Sequence, residues 1–188
     1  SALIDGLARA DKIAASDIAG QWEAFRQIVV ERPFAQVERA LVIVGADRRG
    51  AVYGTYDVSE QIGVSPWYWF ADVPVEKRTD VYFSAGSRRD QPKVRYRGFF
   101  INDEAPAFST WSQKHFGGAN SQMYTHVFEL LLRMEGNYLW PAMWAPRAFN
   151  ADDKDNMFMA DGMGVVMGTS HHEPMTRAQN EWHRNKEQ

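Results

Sequence analysis

The stretch VRYRGFFIND, residues 94–103, reads as a β-strand running out into polar residues, and it opens a pattern that recurs twice. After a loop, Ser121 stands where it can cap a helix, with Met123, Tyr124, Val127, Phe128, Leu131 and Met134 spaced by threes and fours. Gly136 closes that helix, and Asn137–Trp140 forms the second strand, stopped by Pro141. DDKDNMFMAD (152–161) predicts another helix ending at Gly162. GVVMGT (164–169) predicts a third strand, leading through SHHEP to Pro174 in the first turn of a last helix. Strand then helix, three times over, predicts βα units and a parallel sheet. The 94 residues from Arg95 to Gln188 hold these three units. A (β/α)8 barrel of ~250 residues spends ~31 on each, which is a close match. A doubly wound sheet shares the local grammar but gives no reason for polar clusters at three successive strand ends.

Upstream the pattern is that of a mixed α/β layer. WEAFRQIVV (22–30) and ALVIVG (40–45) read as strands, the second apolar enough to be covered on both faces. Asp47 caps a helix over Gly50–Ile62, with Gly63 as its stop. A Trp-rich loop, SPWYWFADVP (65–74), precedes a short strand at Val81–Ser84. The polar, turn-forming GSRRDQP (86–92) marks the boundary between domains. The fold expected is α/β: a small mixed α/β accessory domain at 1–90, then the first three βα units of a truncated TIM barrel at 91–188.

Composition excludes several function classes. Of 188 residues, 24 are acidic and 21 basic, and no Lys/Arg run builds the basic footprint that nucleic acid requires. With no cysteine, thiolate nucleophiles and Cys-ligated zinc are excluded. No stretch reaches ~18 uninterrupted apolar residues, so no helical membrane span is expected. The first ten residues lack a basic segment followed by an apolar core, so no signal peptide is read there.

In a barrel the chemistry gathers at the carboxyl ends of the strands. Those ends carry Asn102, Asp103 and Glu104, then Trp140 and Trp144, then His171, His172 and Glu173. Carboxylates work as acid and base across a glycosidic bond, and flat aromatic faces pack on pyranose rings. Trp67 and Trp69, two apart, share one face if extended and could form a sugar platform or packing between domains. Arg95 and Arg97 alternate, as braces at the barrel's bottom would. His171 and His172 are adjacent, without the i, i+4 spacing of a zinc helix, so neither metal nor cofactor is expected. Asp103, one of the two tryptophans and His172 are expected to converge on one cleft.

The runs DRRGAVYGTYDVSEQIGVSPWYWFADVP (47–74), VRYRGFFINDEAP (94–106), NYLWPAMW (137–144) and VVMGTSHHEPMTRAQNEW (165–182) together resemble glycoside hydrolase family 115. A looser likeness reaches the family 20 β-hexosaminidases, whose later Asp-Glu pair has no counterpart here. The family 115 resemblance implies a xylan α-1,2-glucuronidase that releases glucuronic acid or its 4-O-methyl ether with inversion. It implies that Asp103 acts in the glucuronate pocket, with Asn102 and His172 beside it. By motif, Glu60 and Trp67 or Trp69 would bind substrate from the preceding domain, and Trp144 from the second strand end. The acid and base of such enzymes lie on later barrel strands. It also implies glucuronoxylan as partner, secretion or periplasmic export, and room for a homodimer of the full-length enzyme. Two readings from other classes compete: a carbohydrate-binding module using Trp67, Trp69, Trp140 and Trp144, and a metal-dependent hydrolase built on His171, His172 and Asp103.

Overall fold

An opening helix, α1 (Ala2–Arg9), precedes an antiparallel hairpin of β1 (Phe25–Phe34) and β2 (Val37–Gly45), in which Phe25 faces Gly45 and Val30 faces Ala40. This is a computed structural model of a mixed α/β chain, describing residues 2–84, 86–102, 106–169 and 173–186. Two compact units divide it, Ser1–Arg95 and Tyr96–Gln188.

In the first unit the hairpin runs past the apolar run that announced it. An ion pair from Arg39 Nε to Glu31 Oε1 (2.7 Å) continues the pairing into polar sequence. One sheet face buries Val30 and Val44 with Leu7, Ile13 and Ile18. The other carries Phe25, Gln27 and Ile43 toward α2 (Arg48–Gln61), packed so closely that a Cβ at Gly54 would sit 2.7 Å from Ile43. Asp47 caps α2 as the sequence predicts. Its carboxylate accepts from the amide of Gly50 at 2.9 Å and, with its other oxygen, from that of Glu23 at 2.7 Å. One side chain therefore ties the helix start to the entry of β1. Glu23 itself is buried and pairs with Arg49 Nε at 2.5 Å.

The short strand expected at Val81–Ser84 is not there. The third strand is β3 (Ser87–Asp90), inside the segment read as a turn, antiparallel to β1 with Phe25 opposite Asp90. Its polar residues match a turn signal, but they serve as partners to β1 and α2. Arg26 Nε donates to Ser87 Oγ (2.9 Å), and Arg88 reaches Asp57 of α2 at 2.9 Å. Beneath them the buried Gln27 donates to Asp57 (2.6 Å) and to the Gly54 carbonyl (2.9 Å).

The second unit holds a parallel sheet, β4 (Gly98–Phe100), β5 (Tyr138–Trp140) and β6 (Val166–Met167), with β5 in the middle. Gly98 pairs with Tyr138, and Tyr138 with Val166. The expected strands have the right sense but are shorter than their apolar runs. Between β4 and β5 come α3 (Ala107–Phe116), in the stretch read as a loop, and α4 (Ser121–Arg133). Asn120, not Ser121, caps α4: its Oδ1 accepts from Met123 N at 3.1 Å. The expected apolar face of α4 is buried except at Met134, which has left the helix and is half exposed. Between β5 and β6 lie α5 (Phe149–Asp152) and α6 (Asp155–Met163), which runs to a left-handed Gly164 rather than stopping at Gly162. Pro174 opens a 3-10 turn, and α7 (Gln179–Asn185) begins after it.

Asp47→Ala removes two backbone partners at once and is expected to destabilise the chain by about 1–2 kcal/mol, whereas Asp47→Asn retains part of the cap. Urea midpoints at unchanged slope provide the check, and an unmoved midpoint for Asp47→Ala would show that the cap contributes nothing.

Candidate functional site at the carboxyl ends of the parallel strands

Register places the strand ends. The amide of Ile101 donates to the Trp140 carbonyl (2.9 Å) and that of Gly168 to the Leu139 carbonyl (3.1 Å), so all three chains leave the sheet at one level. Asn102, Pro141–Trp144 and Gly168–Thr169 therefore share one rim of the second unit. Alternation divides the faces below it. Leu139 is fully buried, whereas Tyr138 and Trp140 are only half-buried. Phe100 and Trp140 meet with ring centroids 4.6 Å apart, and Tyr96 and Tyr138 at 6.4 Å, making an aromatic row on one face. Tyr138 fixes the glycines on either side. A Cβ at Gly98 would lie 1.5 Å from the Tyr138 carbonyl oxygen, and one at Gly168 would lie 1.9 Å from its hydroxyl.

The amino ends of the strands are clamped. Asn137, wholly buried, accepts from Arg97 N at 3.0 Å through Oδ1, and its own amide donates to the Arg97 carbonyl at 2.8 Å. Its carbonyl accepts from Val166 N at 2.8 Å, so β5 is held to both neighbours at one residue. Arg97 Nε reaches the Glu135 carbonyl (2.6 Å), the brace at the bottom of the sheet that its spacing suggested, whereas Arg95 is exposed.

Trp144 stands on the loop after β5, 56% exposed. That loop is seated from two sides. The buried Tyr124 hydroxyl accepts from Ala142 N at 3.1 Å, and α7 holds its far end through Asn180 Nδ2 to the Arg147 carbonyl (2.6 Å). Sequence reasoning missed these supports, because Tyr124 reads only as one apolar position of a helix. Glu173, beyond β6, is buried, and its carbonyl accepts from Thr169 Oγ1.

Asn102 is exposed at the end of β4. Asp103 and Glu104 after it, and His171 and His172 before Glu173, lie outside the described residues. In the first unit, Glu60 is exposed on the last turn of α2. Trp67 and Trp69 do not form the extended pair their spacing allowed. Ser65 Oγ accepts from Trp67 N (3.2 Å), and Ala71 N donates to the Trp67 carbonyl (2.9 Å), winding the segment into turns. Two residues apart in a turn point to different sides, so Trp67 is 43% exposed and Trp69 packs edge-on against Phe70 at 4.9 Å. Among the described residues no group of three or more His, Asp or Glu side chains could hold a metal ion. No helix among them is long and apolar enough to cross a membrane.

The profile of glycosyl hydrolase family 115 matches residues 89–188, more than half of the chain and all of the parallel sheet. The chain belongs to this family. Eleven solved chains match it. One is a family 115 4-O-methyl-α-glucuronidase described as specific for decorated arabinogalactans, 35% identical over 94% of this chain with a TM-score of 0.82. The present chain spans about a quarter (24%) of that protein's length. None of the curated proteins compared with the chain matches it. The family match takes in the whole exposed rim of the second unit.

The helices behind this rim are tied by Asp153. Its carboxylate accepts from the amides of Ser121 (2.9 Å) and Asp155 (3.0 Å), joining the start of α4 to that of α6. Those backbone hydrogen bonds, Ser121's first, hold its pKa below the ordinary carboxylate value. A lowered folded pKa means the stabilisation is present above the unfolded value near ~3.9 and is lost as pH falls through the folded one. Asp152 next to it is shifted up, chiefly by desolvation, so its contribution has the opposite sign. Stability of the chain is therefore expected to drop below about pH 4 more steeply than in Asp153→Ala, as measured by urea midpoints across pH. Parallel profiles for the two proteins would contradict this role.

Proposed function

We propose that this chain is part of an α-1,2-glucuronidase that removes glucuronic acid or its 4-O-methyl ether from glucuronoxylan. In this reading Tyr96–Gln188 supplies the first three βα units of a (β/α)8 barrel. The observation that carries the proposal is the level rim of three parallel strand ends within a family 115 sequence. The half-open aromatic face of Tyr96, Phe100, Tyr138 and Trp140 supports it, since a barrel interior is filled by side chains of this kind from the remaining strands.

Each residue then has a task. Asp103 stabilises charge developing at the uronate ring, and Asn102 and His172 hydrogen-bond its carboxylate and hydroxyls. Trp144 offers an apolar face to the sugar from the loop seated by Tyr124. Glu60 and Trp67 or Trp69 are assigned substrate contacts by motif resemblance alone. Acid and base come from later strands, placed ~6.5–9.5 Å apart so that a water can attack with inversion. A polymeric substrate suits a secreted or periplasmic enzyme. A second substrate reading is favoured by the 35%-identical relative, whose described target is decorated arabinogalactan. Both readings share a terminal α-linked uronate, and they differ in the main chain beneath it.

Full-length parent protein is expected to release uronic acid from glucuronoxylan oligosaccharides, with the β-anomer appearing first by proton NMR. Release from arabinogalactan but not from glucuronoxylan would overturn the xylan assignment, and release of neither would overturn both. Asp103→Ala in the parent should lower turnover by at least ~100-fold, the scale of one lost charge-stabilising group. Residues 1–188 alone are expected to release none, because they lack the later-strand carboxylates. Turnover by that fragment, or a fully active Asp103→Ala parent, would contradict the corresponding assignment.

A further inference from the structure

One buried side chain spans both ends of the loop that carries Trp144. Trp140 ends β5 with its carbonyl in the sheet, accepting from Ile101 N at 2.9 Å. Pro141 has no N–H, so the amide of Ala142 is the first donor the chain offers beyond the strand. Ala142 is fully buried, where an unmet donor is costly, and the Tyr124 hydroxyl of α4 accepts from it at 3.1 Å. The ring of the same tyrosine meets Phe149, at the far end of the loop, edge-on with centroids 4.8 Å apart. Phe128, one turn along α4, stacks on that ring at 5.7 Å.

Between those ends the loop moves as a piece. Arg147 N donates to the Trp144 carbonyl at 2.7 Å, closing residues 144–147 into a tight turn. Trp144 therefore travels with that turn, and its place at the rim is decided by the anchors on either side. At the near end Ala142 and Met143 are buried, with Tyr124 on the Ala142 amide. At the far end Ala148 is buried, its amide donating to Asp152 Oδ2 at 2.9 Å, and Phe149 lies against the Tyr124 ring. Tyr124 thus touches both anchors, hydroxyl at one and ring at the other, from a helix whose apolar face is buried.

We infer that Tyr124 is a positioning residue for sugar binding: by clamping both ends of the loop at 141–149 it sets where the Trp144 indole stands against the uronate. This rests on the function proposed above, in which Trp144 meets the sugar, and adds the residue that fixes its place. Dispersion attraction falls steeply with separation, so a turn that drifts from the sugar ring loses its contact with it. The Tyr124 side chain is fully buried, so it acts through Trp144 and not on the substrate itself. Its effect belongs to binding, because in that function the acid and base that break the bond come from other strands.

The test uses the full-length parent and the oligosaccharide, from glucuronoxylan or arabinogalactan, that it cleaves. Tyr124→Phe removes the hydroxyl and keeps the ring against Phe149 and Phe128. It should raise KM about fivefold, the scale of one neutral hydrogen bond, with kcat nearly unchanged. Phe149→Leu, which loosens the other anchor, should act in the same direction. Trp144→Ala should raise KM further than either, and adding either change to it should cost nothing more, since coupled sites are non-additive. A readout independent of turnover is the fluorine NMR spectrum of parent labelled with fluorotryptophan, the Trp144 resonance being assigned by its loss in Trp144→Phe. That resonance should shift or broaden in Tyr124→Phe while most others stay. An unchanged KM or an unmoved Trp144 resonance in Tyr124→Phe overturns the inference. So does a KM effect that persists undiminished in the Trp144→Ala background, since Tyr124 then serves the fold alone. If Trp144→Ala leaves KM unchanged while uronate is still released, the inference fails and the proposed function stands. Absence of release from both polymers overturns that function. In that case a Trp144 resonance that responds to added glucuronic acid, and responds less in Tyr124→Phe, still supports the positioning role, and no response ends both.

Discussion

Asn137 is the residue on which the second unit depends. Wholly buried, it bonds to Arg97 through side chain and amide and to Val166 through its carbonyl, so one residue sets the register of β5 against both neighbours. In a parallel sheet a slip of one position would turn every side chain to the other face. It would drive the Tyr138 backbone and hydroxyl away from Gly98 and Gly168, the two positions shaped to receive them. With the register fixed at the amino ends, the carboxyl ends emerge level. A rim of Asn102, the Trp144 loop and the Thr169 turn follows from an amide buried at the opposite edge.

The first unit is held by the same kind of device. Asp47 joins the start of α2 to the entry of β1, and Gln27 with Asp57 joins the middle of that helix to the sheet and on to Arg88 of β3. Polar groups carry these joints and are partnered, as buried polar groups must be. They also explain why β3 looks like a turn in sequence: its polar side chains have partners far along the chain, Ser87 with Arg26 of β1, Arg88 with Asp57 of α2 and Arg89 with Asp17.

What was legible in the sequence was whatever rests on local periodicity. The apolar spacing of Met123 to Leu131, the Asp47 cap, and three apolar runs each followed by helix led to α2, α4 and the parallel sheet. What escaped depends on partners distant in sequence or on short helices without a marked apolar face. α3 lies in a stretch read as a loop, with no side-chain cap to mark its start. Asn120 displaced Ser121 as a cap because both residue types fit and only the backbone decides between them. The tryptophan pair illustrates the limit for the site: spacing by two suggests a shared face only in extended chain, and Ser65 winds that segment into turns. The supports of the Trp144 loop, Tyr124 and Asn180, carry no local signal at all.

In the function proposed, the rim of β4, β5 and β6 is the uronate-binding edge of a family 115 glycosidase. The measurement that addresses it most directly is a crystal structure of the full-length parent soaked with glucuronic acid. The uronate is expected at the carboxyl ends of these strands, with Asp103 or His172 within hydrogen-bond reach, about 2.7–3.2 Å, and Trp144 beside the ring. A uronate bound elsewhere, with this rim buried under other parts of the protein, would contradict it.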